Sequence, residues 1–487
     1  MSSEVAEEAA ATITPEEMAT RIRTLAHDSM RGRDTPSPEL EDAAVHIADR
    51  FRAMGLEPAG DDGTYIHRWD YDERGLEDVV LRVRDADGSS PRYEEDYFLL
   101  AETQGSSRAG TAVFAGQAST ATMLPADARG GVIFYHVRGT ELDLEFQRQL
   151  GAAIQPTMQA GASGLVLILD PEFPTHIVPD IAQGVAREQT PIPIVGITHD
   201  AGVRLLEQAG ADPAEIRAAA ADDGGGADPT VLDGTVEVEA TPFSNRHRPP
   251  NVVAMAPGSD PTLRDSYVVV TAHFDHSGVG VPDETGDSIY NGADDNASGT
   301  AAMMEMAEAF AALPEAPRRS VLFLAVSGEE KGLLGSMAWV ENPTVPVDDI
   351  VANVNLDMIA RNSPDTIIGI GQEYSTLEDV LTSIQTEHPD LGLDVIRDPQ
   401  PEERFFFRSD QLAFVQEMIP AVFFTGLDHE DYHRPSDEAD KVDADKAARV
   451  ARLAFHLAYR VAMDPQPPEW TEEGRRRVEE MLSSSPM

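Results

Sequence analysis

Apolar and polar positions follow two textures along this chain. In the C-terminal half, continuous apolar runs lie between turn residues at Asn251 to Met255, Val268 to Ala272, Ser320 to Ser327, Ile350 to Ile359, Asp365 to Gly371 and Ala421 to Gly426. Runs of this length, rich in Val, Ile and Phe, read as buried strands. Helical spacing takes over at 298–313 and near 376–387, 409–417 and 443–462, with Asp443 capping the last. The alternation predicts an α/β fold with a mixed, mostly parallel central sheet flanked by helices. Met303, Met304 and Met306 form a stripe of the kind that fills cores.

The N-terminal region is helical by the same criteria. Thr14-Pro15-Glu16-Glu17 combines a cap, a proline at the first helical position and a Glu three residues after the cap. A second helix is predicted from Pro38 to Met54, ended by Gly55, after a polar turn at Arg31-Gly32-Arg33-Asp34. From Val79 to Ala240 the runs shorten. Strand-like segments at 79–83, 111–115, 131–136, 165–169 and 193–197 are separated by Gly, Ser and Pro, with amphipathic stretches near 143–160 and 199–209. This block holds no cluster of ligand-type residues; His136, His176 and His199 are isolated and read as structural or surface groups. The acidic stretch 222–229 reads as a flexible loop, because neither a strand before it nor a helix after it frames a phosphate site.

Composition narrows the chemistry. The 487 residues suffice for two or three domains. With no Cys, any metal must be held by His, Asp and Glu, which suits zinc, manganese or cobalt. Asp and Glu number 86 against 37 Lys and Arg, a net charge of −49 that argues against a nucleic-acid partner. Lys is confined to Lys331, Lys441 and Lys446; such an acidic surface suits solubility in high salt, and a bias toward Arg codons would give the same composition. No apolar run reaches the ~18 residues of a membrane span. The N-terminus lacks the basic and apolar regions of a signal peptide, so the expectation is an extracytoplasmic protein without its leader in this sequence, with the cytoplasm as the alternative.

Ligand-type residues gather where the strands end. His273-Phe274-Asp275-His276 follows Val268 to Ala272; Asp294-Asp295 sits in a Gly and Asn-rich turn; Glu329-Glu330 follows Ser320 to Ser327; Asp357 follows a strand; and His433 lies in Asp431-Tyr432-His433-Arg434-Pro435-Ser436-Asp437. In a mostly parallel sheet these ends share one edge. One His and one carboxylate per ion, with a shared Asp, makes a two-metal site. The assignment is His273 and Asp357 on one ion, Glu330 and His433 on the other, Asp295 bridging, and Glu329 left over as proton shuttle. Asp275, two residues from His273 on an extended chain, would orient its ring. Ser327 and Ser298 lack the setting of a nucleophilic serine.

The motifs HFDH, GADDNASG, SGEEKGLLGS, NLDMIA and DYHRPSDEADKV, in this order over about 250–445, resemble the di-zinc aminopeptidase and glutamate-carboxypeptidase-like family of metallopeptidases. The N-terminal GLEPAGDDGTY is similar to the same family. QAGASGLVLIL and IPIVGIT resemble the protease-associated domain that some members carry as an insertion. The resemblance implies a zinc exopeptidase fold with catalytic parts at 14–78 and 243–465, a β-rich inserted domain at 79–242 and a tail at 466–487. It implies two zinc ions held by His273, Asp295, Glu330, Asp357 and His433, Glu329 as general base, and a cis peptide at Asp295-Asn296. Tyr432 would donate to the oxyanion and Asp437 would support the region of His433; His276 and His429 are expected outside the ligand set, buried behind it or in solvent.

The implied activity is release of N-terminal residues from peptides, with Glu329 and Asp357 near the substrate ammonium and Phe405-Phe406-Phe407 as an apolar wall. The alternative is a glutamate-carboxypeptidase-like enzyme, for which Arg361, Arg404 and Arg408 would have to converge on substrate carboxylates. An inactive receptor-like binding protein and a di-metal deacylase are more distant readings. The inserted domain is expected to shield the cleft or limit substrate length.

Overall fold

The computed structural model describes residues 3–93, 96–101, 108–118, 123–139, 144–173, 191–214, 216, 228–280 and 282–484. It divides the chain into two compact units, one of residues 1–71 and 247–487, the other of residues 72–246.

The first unit is built on a nine-stranded mixed sheet. Its strands run in the order Glu57–Pro58, Pro250–Ala256, Ser320–Val326, Tyr267–His273, Ile350–Leu356, Ala421–Thr425, Thr366–Ile370 and Asp394–Ile396, with Ile66–Arg68 also paired to Pro250–Ala256. The four central strands, from Ser320–Val326 to Ala421–Thr425, are parallel. Their C-terminal ends therefore open on one edge, and the register places His273 beside Val326 and Leu356 beside Phe424.

Both sheet faces are covered, which explains why the central strands are apolar at nearly every position. One face packs against Pro15–Leu25, Pro38–Met54, Gly299–Ala311 and Ala444–Met463. Met303, Met304 and Met306 are fully buried there. Capping fixes where these helices begin: Thr14 accepts from the Glu17 amide, Ser37 from Leu40 and Asp443 from Lys446. Gly55 ends Pro38–Met54 in the left-handed conformation at φ 80°. The opposite face is closed by Trp339 and Phe414, whose rings lie 5.9 Å apart. The C-terminal segment docks on the same unit, with the Trp470 indole donating to the Met418 carbonyl at 2.6 Å and Glu472–Ser484 packed beside Tyr374 and Phe406. No described helix is long and apolar enough to cross a membrane.

The second unit carries a seven-stranded sheet, ordered Tyr71–Val83, Thr230–His247, Arg108–Gln117, Val132–His136, Gly164–Ile168, Ile194–Ile197 and Tyr97–Ala101. Apolar clusters lie on both faces, and Leu144–Ala160 and His199–Gln208 contribute to them. The unit is thus a layered α/β body around its seven-stranded sheet. Residues 217–227, the bulk of the expected acidic loop, and His176 lie outside the described residues.

His136 ends a central strand of this unit. It is buried against the edge of Phe114 and the ring of His199, at 5.6 and 5.8 Å. Burial pushes its pKa down to about 4; His199 and Arg138 act in the same direction and Asp170 opposes them. The folded state thus holds a neutral ring that the unfolded chain would protonate below about pH 6.5. Its contribution is complete above that pH and is lost as pH falls toward 4, about 3 kcal/mol in all. His136→Gln should flatten this part of the pH dependence. Protease protection of residues 72–246 against urea, measured from pH 7 to pH 4 in both proteins, checks it, and parallel curves would refute it.

Candidate metal centre

Five side chains from four strand ends meet in a continuous cluster. His273 is the last residue of its strand and is 1% exposed. Its Nε2 lies 3.2 Å from Asp357 Oδ1 and 3.3 Å from Asp295 Oδ1. The other oxygen of Asp295 faces His433, with Oδ2 3.2 Å from Nε2. That same nitrogen is 3.2 Å from Glu330 Oε2. Acid and imidazole alternate from Asp357 through His273, Asp295 and His433 to Glu330, and Asp295 turns one oxygen to each half. Glu329 approaches from the side, Oε2 4.0 Å from His273 Nε2.

Local backbone chemistry explains how a polar turn can be held so firmly. Asp295-Asn296 is a cis peptide. Gly292, at φ 57°, leads into the turn, and a Cβ there would stand 2.2 Å from the Asp295 carbonyl and 2.5 Å from the His276 ring. The Asp437 carboxylate accepts from the amides of Asp294 and Asp295 at 3.0–3.1 Å. Asn296 ties the turn to the Asp357 strand, donating to the Leu356 carbonyl at 2.9 Å and accepting from the Met358 amide at 3.3 Å. Asp294 points away from the cluster and accepts from the Ala360 amide at 2.7 Å.

The Glu329-Glu330 turn is fixed from the opposite side. Asp275 accepts from the Gly328 amide at 2.8 Å and the Glu329 amide at 3.4 Å, and Thr35 donates to it at 3.0 Å. Gly328 stands at φ 74° with the Trp69 ring where a Cβ would go. Asp275 was expected chiefly to orient His273. Its carbonyl lies 3.3 Å and its Oδ1 3.7 Å from His273 Nδ1, so its carboxylate serves mainly the turn that bears Glu329. Asp437 likewise supports Asp295 directly. Ser409 donates to Asp357 Oδ2 at 2.7 Å.

Burial and proximity drive the acids apart. Burial raises the Glu329 pKa well above the ordinary range; Glu330 and Asp357 add to the effect and His273 opposes it. Burial also acts against ionisation of Asp295, but His276, His273 and His433 outweigh it and hold its pKa well below that range. Glu330 is held low as well, against burial and Asp295, by His433 and His276. Burial raises Asp357. The adjacent glutamates thus differ, one an ionised anchor and one able to carry a proton.

The remaining candidates fall into place around this cluster. Tyr432 stacks on His433 at 3.9 Å, and burial raises its phenol pKa well above the usual value. A cavity bounded by Asp295, Glu329, Asp357, Phe405, Arg408 and Tyr432 opens beside the acids. Phe406 instead packs against Tyr374 at 5.2 Å, so the aromatic triplet is not one wall. Of the three arginines, Arg408 borders this cavity and lies over Phe405 at 4.7 Å, whereas Arg361 pairs with Asp431 at 2.7 Å and Arg404 lies over Phe407 at 5.3 Å.

His276 is buried and the His429 side chain is 3% exposed, so neither imidazole is the solvent group that one of the two expectations allowed. His276 Nδ1 is 2.6 Å from Glu330 Oε1, and His429 Nε2 is 3.4 Å from Asp294 Oδ2. Sequence reasoning did not find Arg33, read as part of a polar turn. Its fully buried guanidinium donates to the carbonyls of Phe274, Leu25, Asn291 and Gly292, binding the His273 loop to the Asp295 turn. Asn296, Thr35 and Ser409 were missed as well; Asn296 alone had a signal, its place directly after Asp295.

The donor set fits divalent cations. Ligand atoms on one tetrahedral zinc lie about 3.3 Å apart, given bonds of 2.0–2.1 Å. The separations of 3.2–3.3 Å on either side of Asp295 match that spacing.

Comparison with known proteins agrees with this chemistry. Residues 251–458 match the model of Peptidase family M28. A probable leucine aminopeptidase of Arthroderma otae is 27% identical over 237 residues, 46% of this chain and 61% of that protein. Aminopeptidase YwaD of Bacillus subtilis is 24% identical over 320 residues, 64% of this chain and 59% of that protein. A probable zinc metalloprotease of Leptosphaeria maculans is 36% identical over 118 residues, 24% of this chain and 25% of that protein. The chain thus spans between about a quarter and three fifths of the length of these relatives. Among solved structures, the zinc aminopeptidase BSAP from Bacillus subtilis has a TM-score of 0.63 at 17% identity, over 92% of this chain and 95% of its own. The aminopeptidase from Aneurinibacillus sp. strain AM-1 gives 0.60 at 18% identity, over 96% and 97%. These structures establish the fold, and the sequence match over residues 251–458 shows that this segment is similar to Peptidase family M28.

Proposed function

We propose that this chain is a two-zinc aminopeptidase that removes N-terminal residues from peptides. The observation that carries the reading is the Asp295 carboxylate, one oxygen 3.3 Å from His273 and the other 3.2 Å from His433, with Glu329 beside it. His273 and Asp357 would hold one ion, Glu330 and His433 the second, and Asp295 both. When bound, zinc supplies Lewis-acid polarisation of the scissile carbonyl and acidifies water.

The protein's own groups do the rest. Glu329 takes the proton from the attacking water as the C–O bond forms, and delivers it to the amine nitrogen as the C–N bond breaks. Its raised proton affinity suits both halves of that transfer. Tyr432, kept as a neutral phenol, donates to the developing oxyanion. Glu329 and Asp357 place negative charge where a free α-ammonium binds. Of Arg361, Arg404 and Arg408, Arg408 alone lines the cavity, which favours this reading over a carboxypeptidase that would require a convergent cationic pocket. The relatives named as aminopeptidases point the same way.

Glu329→Gln should lower kcat by about 10²–10⁴-fold while leaving the zinc content unchanged. Steady-state rates on aminoacyl anilides, with metal analysis of the same samples, check it; unchanged turnover would remove Glu329 as the base. On the same panel, amino-blocked peptides should resist cleavage, and cleavage of them together with release of C-terminal Glu would replace the aminopeptidase reading. Asp437→Ala leaves the Asp294 and Asp295 amides without their acceptor. It should weaken zinc binding about 10–100-fold, as loss of an outer support typically does. Competition with a chromophoric chelator measures this, and wild-type affinity would show that the turn holds without Asp437.

A further inference from the structure

A second group of metal-ligand side chains lies outside the cleft. Glu7 belongs to the N-terminal helix Ser3–Ala10, His388 follows Leu377–Glu387, and His456 sits within Ala444–Met463. Ligand atoms of the three lie within 4.8 Å of one another. His388 Nδ1 is 2.6 Å from Glu7 Oε1, and the His388 and His456 rings stack at 4.0 Å with 20° between their planes. Both imidazoles are buried, at 4% and 3% exposure, while the Glu7 side chain is 47% exposed. The site thus has an apolar inner side and an opening to solvent through its carboxylate.

We propose that Glu7, His388 and His456 form a structural site for a divalent transition metal, zinc by donor type, that fastens the N-terminal helix to the catalytic unit. Two imidazoles and a carboxylate are a recognised zinc donor set, with a fourth position left for water. Tetrahedral ligation draws ligand atoms to about 3.3 Å, and because an imidazole binds through a lone pair in its own plane, the stacked rings of His388 and His456 must turn out of parallel about their side-chain torsions to share an ion. Arg460 and Arg452 face His456 from its own helix and disfavour positive charge there, while Asp390 favours it; Arg460 is paired with Glu387 and Arg452 donates to the Ile13 carbonyl, which offsets part of their charge. Burial and the neighbouring His388 keep the His456 pKa down near 4, leaving its ring lone pair free for a metal at neutral pH.

An ion there would have a mechanical consequence. Ser3–Ala10 is short and buries only small side chains, Ala6, Ala9 and Ala10, against the core. Helices of this length are marginal without tertiary support. A bond from Glu7 to two histidines of the catalytic body would add a polar anchor to that weak apolar contact.

The test counts ions in the full-length protein. After chelation and dialysis into buffered zinc, elemental analysis should find one more equivalent in wild type than in His456→Ala or in His388→Ala. That difference does not depend on how many ions the Asp295 cluster takes. Asp295→Ala/His433→Ala should keep the extra equivalent, which separates this site from the proposed catalytic one. Glu7→Gln changes an exposed group and preserves both imidazoles, so it covers the case in which a histidine variant fails to fold. It should weaken the extra site at least about tenfold, since losing a ligand exceeds the cost of losing an outer support. In the Asp295→Ala/His433→Ala background, zinc should slow amide exchange across Ser3–Ala10. Equal zinc content in wild type, His456→Ala and Glu7→Gln, uptake only at millimolar zinc, or exchange unchanged by zinc would each overturn the proposal.

Discussion

The first unit is organised around a concentration of negative charge largely withdrawn from solvent. Asp295, Glu329, Glu330 and Asp357 lie within a few ångströms of one another at one sheet edge, with His273 and His433 between them. Like charges this close do not all stay ionised in a low-dielectric site without cations. The structure answers in two ways. It splits the acids into low and high proton affinity, and it arranges oxygens and ring nitrogens at the spacing of a metal coordination shell. The same crowding that would destabilise a bare protein creates affinity for divalent ions.

Convergence of this kind requires a second set of polar residues that bind backbone rather than metal. Arg33, Asp437, Asn296 and Asp275 have this role. Arg33 collects four carbonyls, Asp437 two amides, and Asn296 bridges the Asp295 turn to the end of the Asp357 strand. Positive φ at Met358 and His433 falls next to and on the cluster, where non-glycine residues adopt such angles only if their surroundings compel it. The loops that carry the cluster are thereby tied to one another and to the end of the Asp357 strand.

The sequence revealed the parts governed by local rules. The central strands were legible because burial on both faces makes them continuously apolar, and the helices because Thr14, Ser37 to Pro38, Gly55 and Asp443 mark their ends. The placement of His273, Glu329 and Asp357 followed once the strands were assigned, since residues after parallel strands share an edge. Non-local chemistry was hidden. Arg33 lies 241 residues from the Phe274 carbonyl it holds, and nothing in Arg31-Gly32-Arg33-Asp34 separates it from a solvated turn. Thr230–His247, 18 residues long, was missed because its alternation is interrupted by Asp, Gly, Pro and Asn. Ser3–Ala10 is too short and too alanine-rich to announce a buried face.

The Glu329-Glu330 pair shows why identity of residue type says little about role. Both are largely withdrawn from solvent and they are adjacent, yet their proton affinities move in opposite directions. Glu330 faces His276 at 2.6 Å and His433 at 3.2 Å, two bases that stabilise its charge. Glu329 lies farther from its imidazole, 4.0 Å from His273, and faces the charges of Glu330 and Asp357. What assigns the roles is the turn beginning at Gly328, where the left-handed backbone and the Asp275 carboxylate point one glutamate into the ligand row and the other toward the cavity. A turn rotated the other way would exchange the places of Glu329 and Glu330 without changing a letter of the sequence, so the difference between them resides in the backbone held by Asp275 and Thr35.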